Sequence, residues 1–286
     1  STRPISLSAL PARKAVAAFR ARETDWVLGG SFADFPLARE IGITHGTVAI
    51  DPVAGLFGLA IAEETGFLAK PENREALAMA IDRAALESAI DARGWQAHAR
   101  IVTPGLADDS GQIGERWPGT TLDERRAKAA ERVARWQAAN GPIALRIALP
   151  AGPGADLLFE RVQADFFALG INTQRVSERA SADLRLVDGV ARYPRAGWFL
   201  GQFACAVRRP ACNPTADRLA GLARAEADPA RRADLWAEAE AELTRANVFI
   251  PLGNPLRWSL VRRGAAGFAT NRLGVHPLMS LARLPK

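Results

Sequence analysis

Residues 73–90 read NREALAMAIDRAALESAI, and this stretch is the most informative segment of the chain. Leu77, Ile81 and Ala85 repeat every four positions, which is the spacing of one buried face of a helix. Asp82 interrupts the run, and aspartate commonly caps helix N-termini through its side-chain oxygen. The stretch therefore predicts two short helices that meet at Ile81 and Asp82.

The composition is that of a soluble globular protein. The chain has 286 residues, of which 48% are hydrophobic and 24% charged, so it is long enough to bury a sizeable core. No window approaches 18 uninterrupted apolar residues, and the first residues, STRPISLSALPARK, lack the pattern of a signal peptide. We therefore expect no membrane-spanning segment.

The charge is basic but dispersed. Lysine and arginine total 37 against 31 acidic residues, a net charge of +6. The arginines lie among alanines and acids, as in DERRAKAAERVARW, which is typical of solvated helix faces. Basic runs with interleaved aromatic residues, the pattern of single-strand nucleic-acid binding, are absent from the sequence. We expect no nucleic-acid partner.

The two cysteines predict a local disulfide. Cys205 and Cys212 lie in FACAVRRPACNP, and all three histidines, His45, His98 and His276, are far away in sequence. A zinc site would need further thiols or a nearby histidine. A Cys205–Cys212 disulfide is therefore favoured over a metal site, and it implies an oxidising compartment.

The order of predicted elements indicates a mixed α/β fold. The N-terminal region reads as a β-α-β unit, with a strand at residues 5–9, a helix at 12–22 and a strand at 25–30. A second such unit is clearer: strand 144–150, helix 156–170 ended by Gly170, and strand 171–177. The further predicted elements are extended runs at 45–51 and 56–64, a helix after Thr121 to Asn140, a strand at 182–189, helices at 214–226 and 229–246, and a strand at 248–253.

Residue patterns of catalysis are absent from the sequence. There is no glycine-rich phosphate loop and no nucleophile elbow, and AGPGAD reads as a strand-to-helix turn rather than an anion cradle. Asp108 and Asp109 are interpreted as solvated turn residues rather than ligands of calcium or acid–base groups. We predict no catalytic residue and no cofactor, whereas a binding protein needs only a shaped cleft with a few polar groups.

Six segments in order resemble the extracytoplasmic solute-binding proteins of family 5, the peptide and nickel receptors of ATP-driven importers. The quoted stretch resembles that family's segment around Ala-Ile-Asp-Arg. The other five matches are AVAAFRARETDWVLGG (15–30), LDERRAKAAERVARW (122–136), LLFERVQADFFALGINTQRV (157–176), ARYPRAGWFLGQFAC (191–205) and DPARRADLWAEAEAELTRANVFIPLG (228–253).

The resemblance implies a periplasmic-binding-protein-like fold of type II with two lobes. The matches begin well inside the family pattern, so the N-terminal part of that pattern is absent here. In family terms, residues 1–70 plus 265–286 belong to the first lobe and residues 71–264 form the second α/β lobe. Ligand would lie between the lobes, which close by a hinge.

The resemblance also implies candidate ligand contacts. Relatives that bind peptides hold the amino group with aspartates of a Tyr-Pro-Asp loop, but this chain has RYPRAGWF there. Arginines at 192 and 195 would favour a carboxylate-bearing ligand, although solvated arginines are an equal alternative. The candidates on the second lobe are Arg192, Tyr193, Arg195 and Trp198, and those on the first lobe are Trp26, Gly30 and Ser31. Trp198 could equally pack in the core, and for Trp258 core packing is favoured.

The sequence thus predicts a non-enzymatic binding component of an ABC importer. Its partners would be a peptide or another small polar solute and a membrane permease, its location periplasmic, and its state monomeric. Two alternatives remain: a sensory or structural binding module with a degenerate cleft, and an α/β hydrolase.

Overall fold

The computed structural model describes residues 4–41, 47–207 and 210–282, and it contains two sheets. The smaller sheet has three antiparallel strands in the order β1-β8-β2, and the larger has five strands in the order β5-β4-β6-β3-β7. The strands are β1 (Trp26–Ser31), β2 (Val48–Ile50), β3 (Gly55–Ile61), β4 (Ile143–Leu149), β5 (Ile171–Ser177), β6 (Leu184–Val190), β7 (Phe249–Gly253) and β8 (Arg257–Val261).

Ten helices are described. They are α1 (Ala12–Arg20), α2 (Phe35–Arg39), α3 (Pro71–Ala80), α4 (Arg83–Ile90), α5 (Leu122–Asn140), α6 (Pro153–Phe167), α7 (Ala196–Gly201), α8 (Pro214–Ala225), α9 (Pro229–Ala246) and α10 (Leu278–Leu281). Strands β4 and β5, which precede and follow α6 in the chain, pair in parallel, and this confirms the second predicted β-α-β unit. The mixed α/β fold class is confirmed.

The quoted stretch folds as the predicted helix pair. Helix α3 ends at Ala80, Ile81 takes an extended backbone, and the Asp82 carboxylate accepts a hydrogen bond from the Ala85 amide at 2.9 Å. The Asp82 amide in turn donates to the Asp165 carboxylate of α6 at 3.0 Å. Asp82 therefore caps α4 and holds the break between the helices against α6.

Arg74 shows that not every arginine of these helices is solvated. Its side chain is 2% exposed and donates to the Glu64 carboxylate at 2.6 Å, to the Leu68 carbonyl at 2.8 Å and to the Ala246 carbonyl at 2.7 Å. Buried charges persist in proteins only when hydrogen-bonded in this way. Arg74 thereby connects α3 to the C-terminal end of α9.

Three predictions at the chain ends need correction. Residues 5–9 are not a strand: they are irregular and largely exposed, and among the described residues no strand pairs with them. The expected N-terminal β-α-β unit is therefore wrong. Helix α1 ends at Arg20, because Arg22 adopts a left-handed backbone (φ 65°). Strand β8 was missed, because the run is only five residues long and its partner strands β1 and β2 lie more than 200 residues earlier in the chain.

Each sheet combines strands from distant parts of the chain. Strand β3, inside the range 1–70, pairs with β6 and β7 in the larger sheet. Strand β8, inside the range 71–264, pairs with β1 and β2 in the smaller one. The chain therefore passes between the sheets at residues 51–54 and again at 254–256.

Close contacts join the two sheets. Phe32 packs its ring against Phe57 at 4.7 Å between centroids. Gly154 lies so close to the Phe32 carbonyl that a Cβ atom would meet the oxygen at 2.1 Å. The Phe32 and Ala33 carbonyls thus occupy the space before α6, which supports the interpretation of AGPGAD as a turn.

Candidate functional site

The loop 191–195 lies beside one of the two passages between the sheets. It follows β6 directly, and the Ala191 amide donates to the Ala54 carbonyl at 2.8 Å. Two tight turns then form, with Arg195 N–H donating to the Tyr193 carbonyl and Trp198 N–H donating to the Arg195 carbonyl, both at 2.9 Å. The turns start α7 and direct the Tyr193 side chain outward, where it is 52% exposed.

Tyr193 and Arg195 line one groove of about 420 Å³. The remaining lining residues come from α7, α8, α9 and the loop that precedes α5, and they are Asp108, Gly197, Arg224, Arg232 and Trp236. Three arginines, two aromatic rings and one carboxylate therefore surround this space. Such a set suits a polar, carboxylate-bearing molecule, because guanidinium groups bind carboxylates through charge-assisted hydrogen bonds.

Trp236 forms the floor of the groove. Gly197 packs on its ring, since a Cβ atom at Gly197 would lie 3.1 Å from the indole. The Arg224 guanidinium lies above the same ring, 5.8 Å from its centroid. Trp236 is only 6% exposed, so it fixes the positions of α7 and Arg224.

Asp108 contributes a buried acceptor that sequence reasoning missed. Its side chain is 9% exposed, and one carboxylate oxygen accepts from the Ala196 amide at the start of α7 at 2.9 Å. The other oxygen is buried and has no hydrogen-bond partner in the described part of the chain. A buried carboxylate oxygen without a donor is costly, so this atom is suited to accept an N–H or O–H group from a ligand.

The neighbouring Asp109 is also not a solvated turn residue. It pairs with Arg100 at 3.0 Å and accepts from the Gly105 and Gly111 amides. Burial disfavours its charge, but these bonds outweigh burial and lower the pKa of Asp109. The expectation of two solvated aspartates is wrong, because Arg100 and α7 draw them inward.

Trp198 and Arg192 do not line the groove. Trp198 is half-buried, contacts the Phe199 ring edge-on at 5.1 Å between centroids, and approaches the Gly189 backbone. Arg192 is exposed on the loop. Trp198 therefore has a packing contact with the core, and both residues stay predictions as ligand contacts.

The three first-lobe candidates lie elsewhere. Trp26 lines a separate cavity of about 410 Å³ together with residues 5–10 and α10. Gly30 lies against Trp258, so close that a Cβ atom would overlap its indole at 2.2 Å. Ser31 accepts a hydrogen bond from Trp258 Nε1 through its carbonyl at 2.8 Å. Trp258 is 1% exposed, which confirms its predicted core position.

The Cys205–Cys212 disulfide is present, as predicted, with Cα atoms 5.2 Å apart. It closes the segment between α7 and α8, and Asn213 caps α8 directly after it by accepting from the Thr215 and Ala216 amides. The Asp217 carboxylate also accepts from the Cys205 amide at 2.9 Å. The disulfide thus fixes the exit of α7, the helix that carries Gly197 of the groove.

Polar side-chain contacts also hold β8 and the passage 254–256 in place. Arg257 of β8 pairs with Asp188 of β6 at 2.8 Å. Burial raises the pKa of Asp188, although Arg257 opposes that shift. On the second passage, Asn254 Oδ1 lies 3.3 Å from His98 Nε2 and accepts from the Thr103 hydroxyl at 2.8 Å.

Two further findings apply to residues 4–41, 47–207 and 210–282. No group of three or more His, Cys, Asp and Glu side chains is placed to hold a metal ion. No helix in these ranges is both long and apolar enough to cross a membrane.

Sequence comparison finds no match: no protein-family model matches this chain, and no curated protein sequence matches it significantly. Solved structures do match. OppA from Haemophilus influenzae, crystallised with the peptide RPPGFSPFR, has a TM-score of 0.82 and 16% identity, covering 92% of this chain and 55% of that chain. The murein tripeptide binding protein MppA from Escherichia coli also has a TM-score of 0.82, with 17% identity over 94% of this chain and 55% of its own.

The chain has the type II periplasmic-binding-protein fold. NikA from Brucella suis, in complex with Fe(III)-EDTA, has a TM-score of 0.74 at 17% identity and is covered over 60% of its length. These neighbours are family 5 solute-binding proteins, the family that the sequence segments resemble. The chain spans a little over half the length of each of them.

Proposed function

We propose that this chain is part of a non-enzymatic solute-binding component of an ABC importer. It binds a peptide or another small polar solute between two lobes and delivers that solute to a membrane permease. The observation that carries the proposal is the type II fold at a TM-score of 0.82. The groove formed by the loop that the sequence resemblance singled out is lined only by residues of the range 55–253, so it would supply the contacts of the second lobe to the solute.

The proposed solute carries a carboxylate and an N–H donor. Arg195, Arg224 and Arg232 supply cationic groups around the groove, and the free oxygen of Asp108 supplies a buried acceptor. An ammonium or amide group on the solute would satisfy that oxygen, while its carboxylate would pair with a guanidinium. Tyr193 would cover the solute from outside, because it is exposed at the rim.

The proposed lobes follow the two sheets. Residues up to 50 and from 257 onward belong to the first lobe, and residues 55–253 to the second. The passages 51–54 and 254–256 then act as the hinge, since two short connections allow one body to rotate against the other. Trp26, Gly30 and Ser31 would act through the shape of the first lobe, and Arg192 and Trp198 would lie at the cleft near the hinge.

The proposed location is extracytoplasmic and the proposed state monomeric. The Cys205–Cys212 disulfide supports an oxidising compartment, because structural disulfides are rare where thiols are kept reduced. Docking on a permease is part of the same proposal, as expected for a binding protein of an importer.

Calorimetric titration of the purified protein with an acidic tripeptide and with trialanine tests the proposed site. We expect the acidic tripeptide to bind more tightly. Arg195→Gln should weaken its binding about tenfold, which corresponds to losing about 1.4 kcal/mol from one charge-assisted contact. Tyr193→Ala tests the aromatic contact with the solute better than a substitution of Trp198 would, because Trp198 also packs against Phe199.

Arg179→Gln is the matched control, since Arg179 is exposed and lies outside the groove. Arg179→Gln should bind the acidic tripeptide as tightly as the wild type does. The melting temperatures of Arg195→Gln, Tyr193→Ala and Arg179→Gln should all equal that of the wild type. Equal loss of affinity in Arg179→Gln would contradict the site. Absence of any binding would favour the degenerate-cleft alternative, and hydrolysis of the peptide would favour the enzyme alternative.

A further inference from the structure

Three arginine side chains surround Trp117 on the side of the larger sheet that carries α3, α4 and α5. The guanidinium carbons of Arg116, Arg125 and Arg83 lie 4.6, 5.1 and 5.9 Å from the centre of the Trp117 ring. All four residues are partly exposed. We call this set the Trp117 arginine cluster.

Among the described residues, none of the three arginines forms an ion pair with a carboxylate. Arg83 donates to the carbonyl oxygens of Ala78 and Pro251, at 3.1 and 2.7 Å. Arg116 donates to the Asn247 side-chain oxygen and to the Thr244 carbonyl. These partners are neutral, so they satisfy N–H groups without compensating the positive charges.

The two carboxylates that act on arginines of the cluster, Glu75 and Asp165, are both paired with other arginines. Glu75 pairs with Arg132 at 2.6 Å and Asp165 pairs with Arg126. Asp82 caps α4. Guanidinium groups therefore outnumber carboxylates in this region, and the excess charge lies on the Trp117 arginine cluster.

The pKa values show the same imbalance. Burial, followed by the charges of Arg116 and Arg125, lowers the pKa of Arg83 to about 9 against an opposing effect of Asp165. Burial also lowers the pKa of Arg116 to about 10, although Glu75 acts in the opposite direction. Both groups stay protonated at neutral pH, so the mutual repulsion persists there.

Arg125 adds an N–H group with no acceptor. Its Nε is buried, and no hydrogen-bond acceptor in the described ranges contacts it. A buried N–H without a partner costs free energy, and the cost is larger for a charged group. Both this donor and the excess charge would be satisfied by a single anion with several oxygens.

We propose that the Trp117 arginine cluster is a binding site for a small oxyanion, held by Arg125, Arg116 and Arg83 beside the Trp117 ring. Phosphate, sulfate and a carboxylate share the required chemistry: a negative charge and several acceptor oxygens for guanidinium N–H groups. The site is distinct from the groove of Tyr193 and Arg195, because none of its residues lines that groove.

Calorimetric titration of the whole protein with inorganic phosphate, sulfate and acetate, at constant ionic strength, tests the proposal. We expect phosphate and sulfate to bind more tightly than acetate and to raise the melting temperature by about 2 °C or more near saturation. Arg125→Gln should weaken phosphate binding at least tenfold. In the absence of anion, Arg125→Gln should not lower the melting temperature, because it removes one of three positive charges that repel one another.

Two controls separate this site from others. Arg179→Gln should leave phosphate binding unchanged, and so should Arg195→Gln, which alters the groove. Arg125→Lys keeps the charge but removes the Nε donor, so it should weaken phosphate binding severalfold and covers the case in which Arg125→Gln fails to fold. Absence of phosphate binding to the wild type would overturn the proposal, as would unchanged binding in both Arg125 variants.

Discussion

Arg74 illustrates how a single buried charge can hold distant segments together. Its guanidinium connects α3 to Glu64, to the Leu68 carbonyl and to Ala246 at the end of α9. Those partners would be left without a donor if the side chain were removed. Every guanidinium nitrogen of Arg74 donates to an oxygen, an arrangement that suits the planar guanidinium and not the lysine ammonium.

Arg74→Met should therefore destabilise the protein by about 3 kcal/mol, since removing one member of a buried polar network leaves acceptors unsatisfied. Chemical denaturation followed by circular dichroism measures the change. Arg179→Met, at an exposed position, should change the free energy of unfolding by less than about 0.5 kcal/mol. A small effect of Arg74→Met would show that water replaces the lost donor.

His98 lies beside the passage 254–256 and makes the free energy of unfolding depend on pH. Burial lowers the pKa of His98 to about 4, and the nearby charges of Arg83 and Arg100 act in the same direction, whereas hydrogen bonds to Asn254 and Arg100 oppose them. In the unfolded chain the ordinary value is 6.5. Between these two values the unfolded state binds more protons than the folded state.

The free energy of unfolding should therefore fall as the pH falls from about 6.5 to about 4, and His98→Gln should flatten that part of the profile. Urea denaturation at half-unit pH intervals measures both curves. If the wild type and His98→Gln show the same slope in this window, the assignment to His98 is wrong.

At the scale of elements, the break between α3 and α4 depends on one cap. Asp82 accepts from the Ala85 amide and donates its own amide to Asp165. Asp82→Ala should cost about 1 kcal/mol, because an N-terminal amide of α4 loses its acceptor. Asp82→Asn should retain most of the stability, since asparagine caps as well as aspartate. Equal losses in both variants, measured by denaturation, would indicate that charge and not the cap is responsible.

Local patterns explain which elements could be predicted from the sequence. The start of α5 after Thr121 was predicted, and in the structure Thr121 and Glu124, three positions apart, form a capping box there. The β4-α6-β5 unit is equally local, with Gly170 in a left-handed conformation at its turn. Strand β8 is different, because it exists only through pairing with β1 and β2 more than 200 residues earlier.

The candidate site was predictable only in part for the same reason. Tyr193 and Arg195 were found through the loop that resembles the family pattern. Asp108 was not, because its role depends on a contact with the Ala196 amide 88 residues later in the chain. Gly30 looked like a site for close ligand approach, whereas the atoms that approach it belong to Trp258. A glycine in the sequence indicates that other atoms approach its backbone closely, but it does not identify those atoms.

At the scale of the whole molecule, the chain has the type II fold over more than nine-tenths of its length and spans about half of each neighbour. In the described ranges the chain crosses between the two sheets at 51–54 and at 254–256, and the loop that lines the candidate groove is bonded to the first of these passages. The proposed function places the solute near these passages. The central claim is therefore that the protein holds a carboxylate-bearing solute.

Native mass spectrometry of the protein purified without denaturation tests this claim most directly. We expect a mass increment from a retained small solute that is released on denaturation, carries a carboxylate and is recovered unchanged. The increment should be lost in Arg195→Gln and kept in Arg179→Gln. A protein that retains no solute and binds none from a mixture of short acidic peptides, or one that returns the solute chemically altered, would contradict the account.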